Sequence, residues 1–302
     1  MNVIGMDIGG TSLRIGTLDE KMSLTMFQKV PQKLVLQGDS VAGIVRFIAE
    51  YVRNLPPETK IAALAIGIPG TLDKDCTTVL SAPNVHGLSN VPLKSALEAH
   101  FPFPILLAKD VSMLFFHDLR RFSLAHTGVM MACYVGTGIG NVISIGGSLF
   151  FGDSGAAGEL GHIPAWDHHE ACGCGNDGCV ETAVGGKQLA LLQKTLFPET
   201  DINFLFTQHA NHPALQNYVR HLAIPIATEI NIIDPSIVIL GGGVLSMKDF
   251  PRDMLIAAIR THARKPLPEK NLRFLFSKDN GTNGVFGAGA FAWATMGGNE
   301  NG

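Results

Sequence analysis

The sequence lacks the features that would carry the protein across a membrane. No apolar run approaches the ~18 residues that a bilayer-spanning helix needs. The first ten residues have no basic segment and already contain Asp7, so we expect no secretory signal. Blocks of like charge, proline-rich linkers and low-complexity tracts are absent as well. We therefore expect a compact protein of the cytoplasm.

An excess of charge of one sign is also missing. The 23 Lys and Arg residues nearly balance the 26 Asp and Glu residues, and the net charge is −3. A domain that binds a nucleic-acid duplex usually carries a basic patch, so we do not expect a polyanionic partner. With 46% hydrophobic and only 16% charged residues, the composition indicates a large core. The length of 302 residues favours two domains.

Cysteine is scarce, yet three of the five cysteines are crowded into eight residues. Cys172, Cys174 and Cys179 have the spacing C-x-C-x₄-C, and His162 lies ten positions before the first of them. Ligands of these types and in this number fit a closed tetrahedral zinc site. In a reducing compartment such a cluster is more often metal-binding than disulfide-bonded. The sequence therefore predicts a structural zinc ion.

The surroundings of this cluster raise two further points. The fourth ligand stays open, because His168 and His169 lie closer to the cysteines than His162 does. Two carboxylates flank the cluster, with Glu159 three residues before His162 and Glu181 two residues after the last cysteine. Taken alone, these groups could be a core histidine and two surface acids. A metal ion would instead hold both carboxylates over one cavity.

Glycine is abundant, and two glycine-rich turns stand in the same context. A strand, a glycine turn and a second strand occur at residues 3–18 and again at residues 129–145. This repeat predicts two similar α/β halves. The two turns are Asp7-Ile8-Gly9-Gly10-Thr11 and Gly136-Thr137-Gly138-Ile139-Gly140.

Both turns have the composition of a phosphate-binding loop. Glycines let several backbone N–H groups converge on an anion, and Thr11 and Thr137 add hydroxyl donors. Asp7 cannot bind phosphate itself, but beside a phosphate it would hold Mg²⁺ through water. A single glycine turn could exist for steric reasons alone. Two such turns, each at the start of a similar half, favour the interpretation that they bind phosphate. Neither is a P-loop or a dinucleotide-binding motif.

A further acid lies where α/β sheets place their ligands. A buried strand at 61–68 and a shorter strand at 105–108 are predicted, and the second delivers Lys109 and Asp110 at its carboxyl end. Asp110 is a candidate base, although it could instead cap the following helix. Asn84, which follows a proline, could be a turn residue. Ser40 is the predicted N-cap of a helix with apolar residues at helical spacing.

At this point the residues resemble the ROK family of sugar kinases over nearly the whole length. The resemblance rests on the two glycine turns, the Glu159–His162 element, the three clustered cysteines and the triple glycine 241–243. It implies an α/β fold of the actin-like ATPase (ribonuclease H-like) type, with two domains and a cleft between them. The expected division is 1–112 plus 284–302 for the smaller domain, and 113–283 for the larger domain with the zinc loop.

The same resemblance implies roles for individual residues, with Asp110 as the general base. The residues expected to contact or support the sugar are Asn84, Lys109, Asp110, Glu159, His162 and Glu181. The residues expected to bind ATP and Mg²⁺ are Asp7, Gly9, Gly10, Thr11, Gly136, Thr137, Gly138, Gly241, Gly242 and Gly243. The expected zinc ligands are His162, Cys172, Cys174 and Cys179.

The resemblance also bears on substrate and partners. Glucose-type members carry Asn-Asp at the base, whereas this chain has Lys109-Asp110. Together with segments 234–244 and 250–267, this departure looks most like the D-allose kinase branch, with glucose or N-acylhexosamines as alternatives. Family repressors carry an added helix-turn-helix, for which no room is expected before Asp7. A non-catalytic sugar sensor is the other alternative, and a homodimer is expected.

Overall fold

The computed structural model describes residues 1–298 and contains two five-stranded sheets and one two-stranded sheet. The strands of these sheets are β1 (Asn2–Ile8), β2 (Ser12–Asp19), β3 (Leu24–Pro31), β4 (Ile61–Ile68), β5 (Thr71–Leu72), β6 (Val79–Ser81), β7 (Ile105–Lys109), β8 (Val129–Val135), β9 (Ile139–Ile145), β10 (Ser148–Leu149), β11 (Ile237–Gly241) and β12 (Arg273–Phe276). The helices are α1 (Gln32–Val35), α2 (Ser40–Arg53), α3 (Leu93–Glu98), α4 (Asp110–Arg121), α5 (Val180–Val184), α6 (Gly186–Leu196), α7 (Leu205–His209), α8 (Pro213–Ile233), α9 (Arg252–His262) and α10 (Asn283–Gly298).

The first sheet has the order β3-β2-β1-β4-β7. β1 and β2 form the predicted hairpin, and β4 and β7 continue the sheet in parallel. Because the parallel strands end at the same edge, Asp7, Gly67 and Asp110 come to that edge together. A run of buried aliphatic residues fills β1 and β4, as is typical of strands covered on both faces.

The second sheet repeats this plan with the order β10-β9-β8-β11-β12. β8 and β9 are the antiparallel hairpin, and β11 and β12 run parallel to β8. The predicted repeat of two α/β halves is therefore present. At the carboxyl ends of β8 and β11 the chain enters the turn at Gly136 and the triple glycine at Gly241.

The chain divides into two compact units. Unit 1 contains residues 1–125, residues 151–157 and the described residues from Asn280 onward, and unit 2 contains residues 126–150 and 158–279. The predicted end of the first unit was residue 112. The structure moves this boundary past α4, because α4 packs against α10 and β4 of unit 1. The last four residues of the predicted segment 284–302 lie outside the described residues.

Close packing of α10 depends on its small residues. A side chain at Gly287 would collide with the backbone of Met113 in α4, and one at Gly5 with the backbone of Val285. Glycine at both positions lets α10 lie directly on β1 and α4. The same helix brings Gly284 against Asp7, where an added Cβ would stand 2.6 Å from the carboxyl carbon.

The start of α2 differs from the prediction. Its N-cap is Asp39, whose carboxylate accepts a hydrogen bond from the backbone N–H of Ala42 at 3.1 Å. The Ser40 hydroxyl donates instead to the carbonyl of His86 at 2.7 Å. Both residue types are good caps, so a tertiary contact decides between them. Within residues 1–298, no helix has the length and apolar character needed to span a bilayer.

Candidate active site

The candidate base, Asp110, opens α4 at the end of β7. The N-cap of α4 is Lys109 and not Asp110, so the alternative that Asp110 caps the helix is not realised. The Asp110 carboxylate accepts a hydrogen bond from the backbone N–H of Val111 at 2.8 Å. Burial, and then the negative charge of Asp7, together raise the pKa of Asp110 to about 7, although the hydrogen bond from Val111 and the charge of Lys109 oppose the shift. A carboxyl group that titrates near neutrality can accept a proton under working conditions.

Asp7 lies at the end of β1 and is fixed from two sides. Its Oδ2 accepts a hydrogen bond from Arg14 Nη1 at 2.8 Å, and the two residues are direct cross-strand partners. Gly284 of α10 approaches from another side, as described above. Arg14 was not among the residues predicted for the site. Its place in the strand after an acidic glycine turn is the signal that could have identified it.

Asn84 is brought to the first glycine turn. A Cβ added to Gly10 would stand 3.6 Å from the Asn84 Cβ, and the Asn84 side chain is exposed. Gln32 ties the two segments together, because its amide donates to the carbonyl of Gly9 at 3.1 Å and to that of Asn84 at 3.3 Å. Nothing in the local sequence around Gln32 indicated this bridging role.

The second glycine turn is built into unit 2 by its backbone. Gly136 N–H donates to the carbonyl of Gly138 at 2.9 Å, and the first turn of α6 packs against this glycine turn. Gly186 and Lys187 of α6 donate backbone hydrogen bonds to the carbonyls of Gly136 and Thr137. The backbone of α6 thus fixes the turn, while the Thr137 side chain remains exposed.

Glu181, in the first turn of α5, supports the same turn. Its Oε2 accepts a hydrogen bond from the backbone N–H of Ile139 at 2.8 Å. A side chain at Gly138 would occupy the space of this carboxylate. Glu181 was predicted to contact or support the sugar, and in the structure it also accepts a hydrogen bond from the turn assigned to phosphate.

An open groove of about 740 Å³ runs along unit 2 beside this turn. Gly136, Thr137 and Gly243, which were all predicted to bind ATP, line this groove together. Gly242 has φ +93°, and any side chain there would meet the backbone of Val135. The other lining residues were not predicted, and they are Gly186, Lys187, Ala190, Asn203, Phe204, Val244, Ser246, Met247 and Lys248.

Two features of this groove suit a nucleotide. Phe204 is 46% exposed, which is high for a phenylalanine and leaves a ring face for a base to stack on. The hydroxyl of Ser246 is buried and has no hydrogen-bond partner among the described residues. A ligand in the groove that reached this hydroxyl would satisfy it.

The predicted metal cluster assembles in unit 2. One ligand atom from each of His162, Cys172, Cys174 and Cys179 lies within 4.8 Å of all the others. His168, an alternative fourth ligand, contacts the Thr182 hydroxyl through Nε2 at 2.7 Å instead. The structure thus selects His162 from the histidines that spacing left open. All the cysteines are free thiols, so the disulfide alternative is not realised.

The geometry of the cluster fits zinc. Cys174 Sγ lies 3.6 Å from Cys179 Sγ, and Cys172 Sγ lies 3.6 Å from His162 Nδ1. Tetrahedral ligands at ~2.3 Å from a common ion would be about 3.8 Å apart. His162 Nε2 points to the Glu159 carboxylate at 3.7 Å. A carboxylate on the second ring nitrogen orients a metal-bound histidine and is in turn held by it.

Comparisons with known proteins give a consistent result. A model of the ROK family matches residues 3–295. An N-acetyl-D-glucosamine kinase of Aliivibrio fischeri is 29% identical over 256 residues, which cover 80% of this chain and 83% of that protein.

Solved structures extend this similarity to the fold. A ROK family glucokinase from Streptomyces griseus, in complex with glucose and AMPPNP, is 27% identical with a TM-score of 0.77, covering 96% of this chain and 99% of the other. A ROK hexokinase from Thermus thermophilus is 25% identical with a TM-score of 0.78, covering 99% and 100%. The fold is therefore the α/β actin-like ATPase fold of these kinases.

Proposed function

We propose that this chain, which belongs to the ROK family, transfers the γ-phosphate of Mg·ATP to the 6-hydroxyl of an aldohexose. By its family and its named relatives the chain is a sugar kinase. The observation that supports the reaction best is Asp110, a carboxyl group at a strand end with a pKa of about 7. It stands beside Asp7 and the first glycine turn, where a phosphate would lie.

The proposed phosphoryl transfer requires the protein to position the reactants and to neutralise the charge of the phosphates. Asp110 accepts the proton of the sugar hydroxyl, the oxygen forms a bond to the γ-phosphorus, and the bond from phosphorus to ADP breaks. Asp7 would hold Mg²⁺ through water, and the ion would neutralise charge on the phosphates. The glycine turns supply backbone N–H donors to the phosphates. Asn84, Lys109, Glu159, His162 and Glu181 contact or support the sugar.

ATP is proposed to occupy the groove of unit 2. Gly243 of the triple glycine and the turn at Gly136 line it, and Phe204 offers a surface for the adenine ring. Lys187 and Lys248 add positive charge. The glucokinase of similar fold was crystallised with AMPPNP, an analogue of the same nucleotide.

Zinc is proposed as a structural ion that takes no part in phosphoryl transfer, because its four positions would be filled by protein. Its effect on the sugar would pass through His162, whose Nε2 faces Glu159. The homodimer and the cytoplasmic location remain predictions.

For the substrate, we propose D-allose ahead of glucose and N-acylhexosamines. Lys109 supports this choice, since its side chain is 9% exposed and its charge acts on Asp110. An ammonium group at this position replaces the amide of glucose-type members and would read a different ring hydroxyl. Sites that hydrogen-bond one hydroxyl can reject close analogues strongly.

A coupled assay of ADP release with a panel of hexoses tests the proposal. The panel contains D-allose, D-glucose, N-acetyl-D-glucosamine and N-acetyl-D-mannosamine. We expect ADP with at least one sugar, and the highest kcat/KM with allose. A preference for an N-acylhexosamine would replace allose but keep the kinase. No ADP with any sugar, in protein that holds its metal, would refute the kinase proposal.

A Lys109→Asn variant sharpens the substrate question, because it restores the Asn-Asp pair of glucose-type members. We expect its ratio of kcat/KM for glucose over allose to rise. Lys94→Asn, on the partly exposed surface of α3, is the control and should leave the ratio unchanged. An unchanged ratio in both variants would remove Lys109 from sugar selection.

A further inference from the structure

A buried carboxyl group that is not among the residues assigned above lies in the core of unit 2. Glu229 of α8 is 6% exposed, and its helix neighbours Ile226 and Ile230 are fully buried. Its Oε2 accepts a hydrogen bond at 2.6 Å from Nδ2 of Asn141, which is also 6% exposed and lies in β9. Burial raises the pKa of Glu229 to about 7, so the acid is costly to keep there in its charged form.

The orientation of Asn141 is fixed by its two donors. Nδ2 also donates to the carbonyl of Ala132 at 3.1 Å, so both of its hydrogens are used. The amide oxygen must therefore point the other way. That oxygen is buried and has no hydrogen-bond partner within residues 1–298.

The amide oxygen faces Gly158. A Cβ added to Gly158 would stand 2.7 Å from Asn141 Oδ1, and Gly158 has φ +79°, so only glycine fits here without strain. The next residue is Glu159, followed by the short helical turn Leu160–His162. Gly161 of this turn also rests on β9, where its added Cβ would be 3.0 Å from the Ile139 carbonyl.

An apolar pair could fill the same volume at a lower cost. A buried acid with one hydrogen bond and an amide oxygen with none both reduce stability. Departures of this kind are expected where function requires them. Here the costly pair lies directly beneath the segment that carries Glu159 and His162.

We propose that Glu229 and Asn141 are positioning residues for the sugar site. The Glu229 carboxyl group orients the Asn141 side chain, and the amide oxygen of Asn141 limits how closely Gly158 can approach β9. The position of Gly158 in turn orients the next residue, Glu159. The inference rests on the proposed function, because it takes Glu159 as a sugar contact. It adds two buried residues that no motif in the sequence identified.

The test replaces Glu229 by residues of similar shape. Glu229→Met removes the acceptor and leaves an apolar side chain, whereas Glu229→Gln keeps an acceptor oxygen for Asn141. Leu222→Met, a fully buried change of nearly constant volume on the same helix, is the matched control. Each variant is assayed for sugar KM, ATP KM and melting temperature at pH 8, with the sugar that the panel selects.

We expect Glu229→Met to raise the sugar KM at least ~10-fold, the lower end of what supporting residues contribute. Its ATP KM should change less than twofold. Glu229→Gln and Leu222→Met should keep the parental sugar KM. A fall in melting temperature with both KM values unchanged would mean a purely structural role and would overturn the inference.

Crystal structures of the parent and Glu229→Met give a readout that does not need activity. We expect the segment 158–160 to move by more than ~0.5 Å, the tolerance of a working site. Coincident segments would overturn the inference even if the protein phosphorylates no sugar. If Glu229→Met does not fold, Asn141→Ala provides the same two measurements. An inactive parent with a displaced segment would refute the proposed function alone.

Discussion

The two halves of this protein share one strand order, but the corresponding edges of their two sheets carry different chemical groups. In unit 1 the parallel strands end in carboxylates, Asp7 and Asp110, and the charge of Asp7 makes the ionisation of Asp110 more costly. In unit 2 the equivalent strands lead into glycines, at Gly136 and Gly241, and the Glu159 carboxylate lies beside His162 of the cysteine–histidine cluster. The strand order of a sheet therefore determines at which edge ligands bind, whereas the residues at the strand ends determine the chemistry of binding.

This comparison predicts that substitutions in unit 1 reduce turnover and that those in unit 2 reduce affinity or stability. The largest effect is expected for Asp110→Asn. We expect kcat to fall by at least ~10²–10⁴, because an amide at this position cannot accept the proton, while the sugar still binds. Steady-state kinetics and calorimetric titration with sugar measure both. Asp75→Asn, on an exposed turn of the same unit, is the control. Turnover near the parental rate would show that Asp110 is not the base.

Loss of the metal should produce the next largest effect. Cys174→Ser, or chelation, should lower the melting temperature and raise the sugar KM by ~10–100-fold, because Glu159 loses its support through His162. Cys76→Ser, which lies outside the cluster, should keep the metal and the KM. The metal content of each variant is measured by mass spectrometry. Full activity in metal-free protein would contradict the structural role of zinc.

The pH dependence tests the charge of unit 1 directly. Since Asp110 must be ionised to act, kcat/KM for the sugar should rise with pH and level off above about 7. Between about 4 and 7 folded Asp110 binds more protons than unfolded Asp110, so this group makes the free energy of unfolding fall as the pH rises through that window. Asp110→Asn should lack this component of the fall. A flat rate profile from pH 5 to 8 would contradict the assignment.

The smallest effect is expected in the nucleotide groove. Ser246→Ala removes a buried hydroxyl that has no partner among the described residues, so the ligand-free protein should lose no stability. The ATP KM should rise about 2- to 10-fold, which corresponds to one net hydrogen bond of ~0.5–1.5 kcal/mol. Ser236→Ala, on an exposed hydroxyl of the same unit, serves as the control. An unchanged ATP KM would place the nucleotide away from Ser246.

Local sequence patterns predicted most of the architecture. The hairpins, the strand at 61–68 and the resemblance to the ROK family are confirmed. These features depend on glycine turns and apolar runs, which act over a few residues. The end of the first unit was placed at 112 instead of 125, because the packing of α4 on α10 joins segments far apart in the chain.

Residues that act through distant neighbours were missed for the same reason. Gln32 and Ser246 carry no motif, and their significance appears only when another segment is placed beside them. The fourth zinc ligand shows the same limit. Spacing left His162, His168 and His169 open and the family resemblance implied His162, and in the structure His162 joins the cluster.

By itself the sequence determined the family, the two glycine turns and the three cysteines of the metal cluster, because each depends on residue types at short spacing. Tertiary structure alone decided which histidine joins the cysteines and which groups raise the pKa of Asp110. It also decided that Glu229 lies beneath Gly158 by way of Asn141. Each of these depends on distances between segments that the order of residues along the chain does not contain.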